Sequence, residues 1–196
     1  MSDMKSALEI AKEKMEKMGQ PTEEERLKWK YAPEGEQLAV KYLEKDCNLV
    51  TEMSQYQENI RKYVAEGAAD ILIRNITLPK NDVAKKDNTR VMDGLKVLKS
   101  DKVGIENVYS RIRHIFSHYA EQGEQQRQEA YESLKAEFET KLQQAMQQQL
   151  GLSTGAKVNV EKQPQFQQEW RKVQSQLDSQ YLNLLGEYKR ELSSTA

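Results

Sequence analysis

The only two histidines of the chain, His114 and His118, stand four residues apart. On a helix that spacing puts both imidazoles on one face, where two neutral ring nitrogens can hold a transition metal. A working site needs at least one further ligand. Glu106 and Glu121 are the local candidates and Cys47 the distant one. The residue three before His114 is Arg111 and three before His118 is Ile115, so the Glu-x-x-His pairs of di-iron bundles do not occur. His-Glu-x-x-His does not occur either. A metal-dependent helical-bundle enzyme centred on His114 and His118 is therefore the alternative reading, and the first reading has no metal and no cofactor.

Other reactive groups lead nowhere sharper. Cys47 follows Asp46, and a neighbouring carboxylate disfavours the thiolate. Gly151 and Gly155 enclose no Lys-Ser or Lys-Thr pair, so they form no phosphate-cradling loop. The carboxylates interleave with lysines at helical spacing, as Glu9 and Glu13 do with Lys12 and Lys17, which describes a solvated, salt-bridged face. Nine tyrosines are scattered along the chain. A stacking platform for single-stranded nucleic acid would set such rings in a net-positive groove. Here Lys+Arg is 30 against 31 Asp+Glu, so a helical nucleic-acid-binding factor is a second alternative that the charge balance does not favour. Tyrosines on apolar seams, with hydroxyls reaching the rim, are the simpler reading.

The elements that would position these residues are long helices. Hydrophobic residues are 37 % of the chain and charged residues 31 %, yet the apolar positions are periodic, which implies narrow stripes on otherwise exposed helices. Met4, Leu8, Ala11, Met15 and Met18 form one stripe over 2–18. That segment reads as neither a signal peptide nor an anchor, and no run approaches the roughly 18 apolar residues of a membrane span. The run from Thr22 to Glu25 is a capping box opening a short helix to about Tyr31. Pro33 then opens a helix expected to reach Ile76, with a heptad seam at Leu49, Met53, Tyr56, Ile60 and Tyr63.

Pro79 and Asn81 mark a turn over 77–81. Beyond it Ala84, Val91, Leu98, Ile105, Ile112 and Tyr119 recur at every seventh position. That register favours one continuous helix through Ser100 and Asp101, against which stand Gly94, Gly104 and the Ser-Asp pair itself. The two arms, 36–76 and 81–119, are nearly equal in length and predict an antiparallel hairpin. The stretch 121–129 carries no apolar side chain and reads as an exposed helical connector or a hinge at Gly123. Ala130, Leu134, Phe138, Leu142 and Ala145 resume the pattern. A loop at 151–155 follows, and Val158 and Val160 allow a short extended piece. The last helix, after Pro164, carries Phe166, Trp170, Val173, Leu177, Tyr181, Leu184 and Tyr188. Segments 130–149 and 166–192 make the second hairpin. Glutamine runs such as Gln147, Gln148 and Gln149 read as solvated helix surface.

The expected protein is all-α: two antiparallel, coiled-coil-like hairpins with short N-terminal helices. Its divisions are 1–32, 33–120, the polar connector 121–129, and 130–196. The expected function is non-catalytic: an interaction or scaffolding protein that assembles with itself or a protein partner. The faces expected to serve are the seam at Ile105, Ile112 and Tyr119 and the stripe at Trp170, Leu177 and Leu184. A single cysteine, Cys47, allows no intramolecular disulfide and fits a reducing cytoplasm. Neither membrane insertion nor nucleic-acid binding is expected.

Overall fold

The computed structural model describes residues 21–150 and 159–195. The stripe expected at 2–18 and Val158 lie outside them. The described residues are helical, with no strand among them: α1 (Glu23–Leu43), α2 (Leu49–Ser54), α3 (Glu58–Arg74), α4 (Asp82–Leu98), α5 (Lys102–Leu150), a single 3-10 turn (Val160–Lys162) and α6 (Pro164–Ser194). No described helix is long and apolar enough to cross a membrane. Contacts divide the chain into two compact units, Met1–Leu72 and Ile73–Ala196.

In the first unit the expected capping box opens α1. The Thr22 N–H donates to Glu25 Oε2 at 2.8 Å and the Glu25 N–H to Thr22 Oγ1 at 3.2 Å. The helix does not stop near Tyr31, because Pro33 is accommodated inside it. The expected helix from Pro33 to Ile76 is instead broken twice. Lys45 takes a left-handed backbone (φ 69°) that ends α1, and Asn48 then caps α2 by accepting from the Val50 and Thr51 N–H groups. The second break falls at 55–57, where Gln57 O accepts from both Ile60 and Arg61 N–H at the start of α3. Local hydrogen-bond acceptors thus override a heptad that still buries Leu49, Met53 and Tyr63.

α1 and α3 cross at two glycines. A Cβ on Gly35 would meet the Val64 carbonyl, and one on Gly67 would meet the Ala32 carbonyl. The backbones therefore touch with no side chain between them. Leu38, Ala39, Val64 and Ala68 pack around the crossing. Exposed ion pairs flank it, Lys28 with Glu66 at 2.8 Å and Lys62 with Glu24 at 3.3 Å.

In the second unit the turn at 77–81 is present. Asn81 Oδ1 accepts from Ala84 N–H at 2.8 Å and caps α4. The turn is also held from within α4 by Asn88, which is 2 % exposed. Its amide accepts from Thr77 N–H at 2.8 Å and donates to Thr77 O at 2.7 Å, satisfying both backbone groups of one turn residue. The helix expected to run continuously from 81 to 119 is interrupted. Lys99 is extended, and Asp101 Oδ1 accepts from Gly104 N–H at 2.8 Å to start α5 afresh. Lys102 covers the C-terminal carbonyls of α4, Lys96 O and Lys99 O, where the helix dipole favours a cation. α4 and α5 fold back as a tight antiparallel hairpin. Tyr109 donates to Met92 O at 2.8 Å, and Lys96 pairs with Glu106 at 3.0 Å.

α5 has 49 residues and is about 70 Å long. It runs unbroken through 121–129. As expected of a polar connector most of it is exposed, but Gly123 is buried, and a Cβ there would lie 3.2 Å from the Tyr181 hydroxyl. α6 returns antiparallel along α5. Phe166 meets Tyr131 and Phe138, Tyr181 meets Tyr119, and Arg111 pairs with Glu191. The partner of α6 is therefore not 130–149 alone. It reaches back to the first turns of α5, and Lys99 Nζ donates to Thr195 O at 2.6 Å at the far end. Val160 sits in the 3-10 turn, not in an extended piece.

Candidate functional site

The buried row of α6 comprises Phe166, Asp178, Leu185 and Leu192. The last three fall at every seventh position, so a carboxylate occupies a seam site where an apolar residue would pack. Asp178 is 5 % exposed. Isolated, its charge would be costly there, and three neighbours compensate it. Lys80, from the turn before α4, reaches Oδ2 at 2.6 Å. Tyr119, from α5, donates to Oδ1 at 3.0 Å. Arg127, about two turns further along α5, stands 3.9 Å from the same oxygen.

Arg127 is itself tightly held. Its guanidinium carbon lies 4.2 Å from the centre of the Tyr119 ring. Its Nη2 donates to Glu124 Oε2 at 2.6 Å and to Tyr119 O at 3.3 Å. The group thus joins three elements of one unit through a single carboxylate. It forms the wall of a cleft of about 830 Å³ that is also lined by Lys85, Tyr131, Trp170 and Arg171. Tyr131 and Trp170 meet edge to face at 5.1 Å.

Burial, reinforced by the hydrogen bond to Asp178, pushes the Tyr119 phenol up to about 12. Burial also raises Tyr109 well above the ordinary range. Between pH 10 and 12 the unfolded chain loses a proton that folded Tyr119 keeps, so stability falls as pH rises through that window. Alkaline ultraviolet titration should accordingly show Tyr109 and Tyr119 keeping their protons above pH 10 while the chain remains helical. Simultaneous ionisation of all nine tyrosines with helicity intact would contradict this packing.

The residues singled out from the sequence are dispersed. Ile105, Ile112 and Tyr119 are 1 %, 0 % and 3 % exposed, so that seam is internal to the unit and offers no surface for association. Trp170 and Leu177 are half-buried and Leu184 is 43 % exposed. Their row lies one residue, about 100° around the helix, from the buried row at 178, 185 and 192. His114 is exposed, and His118 Nδ1 lies 2.9 Å from the Tyr181 hydroxyl. Glu106 is engaged by Lys96 and Arg113, which hold its carboxyl below the usual range. Among the described residues no three His, Cys, Asp or Glu side chains converge as metal ligands.

Asp178, Tyr119, Arg127 and Lys80 were not legible as a group, because three separate segments supply them. One signal was present: an aspartate at sevenfold spacing from Leu185 and Leu192. No curated protein and no solved structure matches the chain. A family model does match over residues 50–194, and the chain belongs to that family, DUF6657, a family of unknown function.

Proposed function

We propose that this chain is a non-catalytic helical interaction or scaffolding protein that assembles with itself or with a protein partner through α6. The observation that supports this is the row Trp170, Leu177 and Leu184, which α5 covers only in part, Leu184 being 43 % exposed. Leaving a leucine in water forfeits about 1.5–3 kcal/mol relative to full burial, and adjacent exposed apolar groups on one helix favour a covering surface. The proposal extends to a cytoplasmic setting, supported by the single cysteine.

Leu184→Glu is the discriminating variant, since Leu184 contributes little to the hairpin core. Sedimentation velocity at micromolar concentration should show the unaltered chain as an oligomer, or as a stable complex with a protein recovered from its host. Leu184→Glu should sediment as a monomer, or lose that partner, with an unchanged helical circular dichroism spectrum. A monomeric unaltered chain that retains no partner would end the proposal.

A further inference from the structure

We propose that the cleft beside Asp178 binds a small organic anion carrying a planar ring. The argument starts from charge. Lys80, Lys85, Arg127 and Arg171 line the cleft against two carboxylates, Asp178 and Glu124, so its walls carry an excess of positive charge. The cations are not equivalent. Lys80 is committed to Asp178 and Arg127 to Glu124, while exposed Lys85 pairs with exposed Asp82 outside the lining. Arg171 forms no ion pair with a described residue, which leaves its planar fork available to a carboxylate or phosphate.

The second half of the argument is shape. Tyr131 and Trp170 line the same cleft and are locked edge to face, and half-buried Trp170 keeps part of its ring open. A flat ring laid on that indole gains apolar burial and stacking that a bare anion cannot. The site is also pre-organised. Arg127 is only 14 % exposed in its side chain and is fixed by Tyr119, Glu124 and Asp178, so the wall is set before a ligand arrives. Replacing a buried charge cluster by apolar residues is often neutral or stabilising, so stability alone does not explain a carboxylate at this seam position. A rigid polar wall facing a cleft does.

The chain carries its own reporters. It has two tryptophans, Trp170 in the cleft and Trp29, which is 66 % exposed in the first unit. Nitrogen-15 spectra of the full chain resolve the two indole N–H signals, and Trp29→Phe assigns them. Titration with adenosine monophosphate or with benzoate, probing phosphate- and carboxylate-bearing rings in turn, should move the Trp170 signal saturably and leave Trp29 still. A response to only one probe identifies which anion the cleft reads and supports the proposal equally. Inorganic phosphate and acetate should bind at least tenfold more weakly than the matching ring compound. Arg171→Glu, an exposed change that should leave the spectrum folded, should weaken binding by about tenfold or more, the ratio carried by one charge-assisted hydrogen bond. The proposal is overturned if neither ring compound shifts Trp170, if the ringless anions bind as well, or if Arg171→Glu binds unchanged.

Discussion

Alanine at Gly67 should destabilise the first unit by about 2–3 kcal/mol, and leucine there should prevent the α1–α3 crossing from forming at all. In an exposed helix the same change would stabilise by about 1 kcal/mol, because alanine is the better helix former. The crossing reverses the sign. A Cβ on Gly67 would be driven into the Ala32 carbonyl and lie 2.9 Å from the Ala32 Cα, and both obstacles are backbone. Neither can rotate away, so the helices must separate and loosen the contacts of Val64, Ala68 and Ala39. Gly35 meets Val64 O from the opposite side and lies 2.9 Å from Ala68 N by the same construction, so Gly35→Ala should behave alike. The double variant should cost less than the sum, since one separation relieves both clashes. Gly186→Ala is the control: a Cβ there meets nothing within 4 Å, and the change should stabilise. Urea unfolding of the four alanine variants checks the order. An equal response at Gly67 and Gly186 would show that the helices do not approach so closely.

Asp178→Leu should cost about 2–3 kcal/mol, and Tyr119→Phe combined with it should recover most of that loss. The reasoning follows what each partner does once the carboxylate is gone. Lys80 is 59 % exposed in its side chain and returns to water at little cost. Arg127 keeps Glu124 and Tyr119 O. The Tyr119 hydroxyl is different, because the residue is 3 % exposed and Asp178 is its acceptor. A buried donor left without an acceptor costs about 1–3 kcal/mol, with the lost attraction to Arg127 added. Phenylalanine at 119 removes the stranded donor, so an apolar pair refills the seam. Thermal or urea unfolding of the two singles and the double gives the coupling directly. Additive losses would show that Tyr119 and Asp178 do not act as a unit.

One expectation failed at a helix end, and one helix face carries a buried row that its apolar pattern does not mark. The heptad from Ala84 to Tyr119 is real, and Val91, Ile105 and Ile112 are all buried, yet Lys99 to Asp101 breaks the helix. A stripe that continues in phase is compatible with one straight helix or with two that fold back onto the same core. Only the Asp101 cap and the Lys102 clamp on the α4 carbonyls favour the second. On α6 the buried row at 178, 185 and 192 is not marked by the apolar pattern, unlike the row at 170, 177 and 184, because it begins with an aspartate. Hydrophobicity ranks residues by their cost in isolation. It does not register that Lys80, Tyr119 and Arg127 will be waiting for this one.

What the residues determine by themselves is local: helical periodicity, the Thr22 and Asn81 caps, the turn at Pro79, and the charge interleaving that makes the surfaces polar. Each rests on interactions within four residues, which any stretch of chain carries with it. What only the tertiary structure decided is non-local. The backbone contact at Gly35 and Gly67, the Asn88 clamp on Thr77, the reach of α6 along nearly the whole of α5, and the compensated charge at Asp178 each join residues from separate elements. Their energies depend on distances that helix packing alone sets, because a glycine, an amide or a carboxylate acquires its value from whatever the fold places against it.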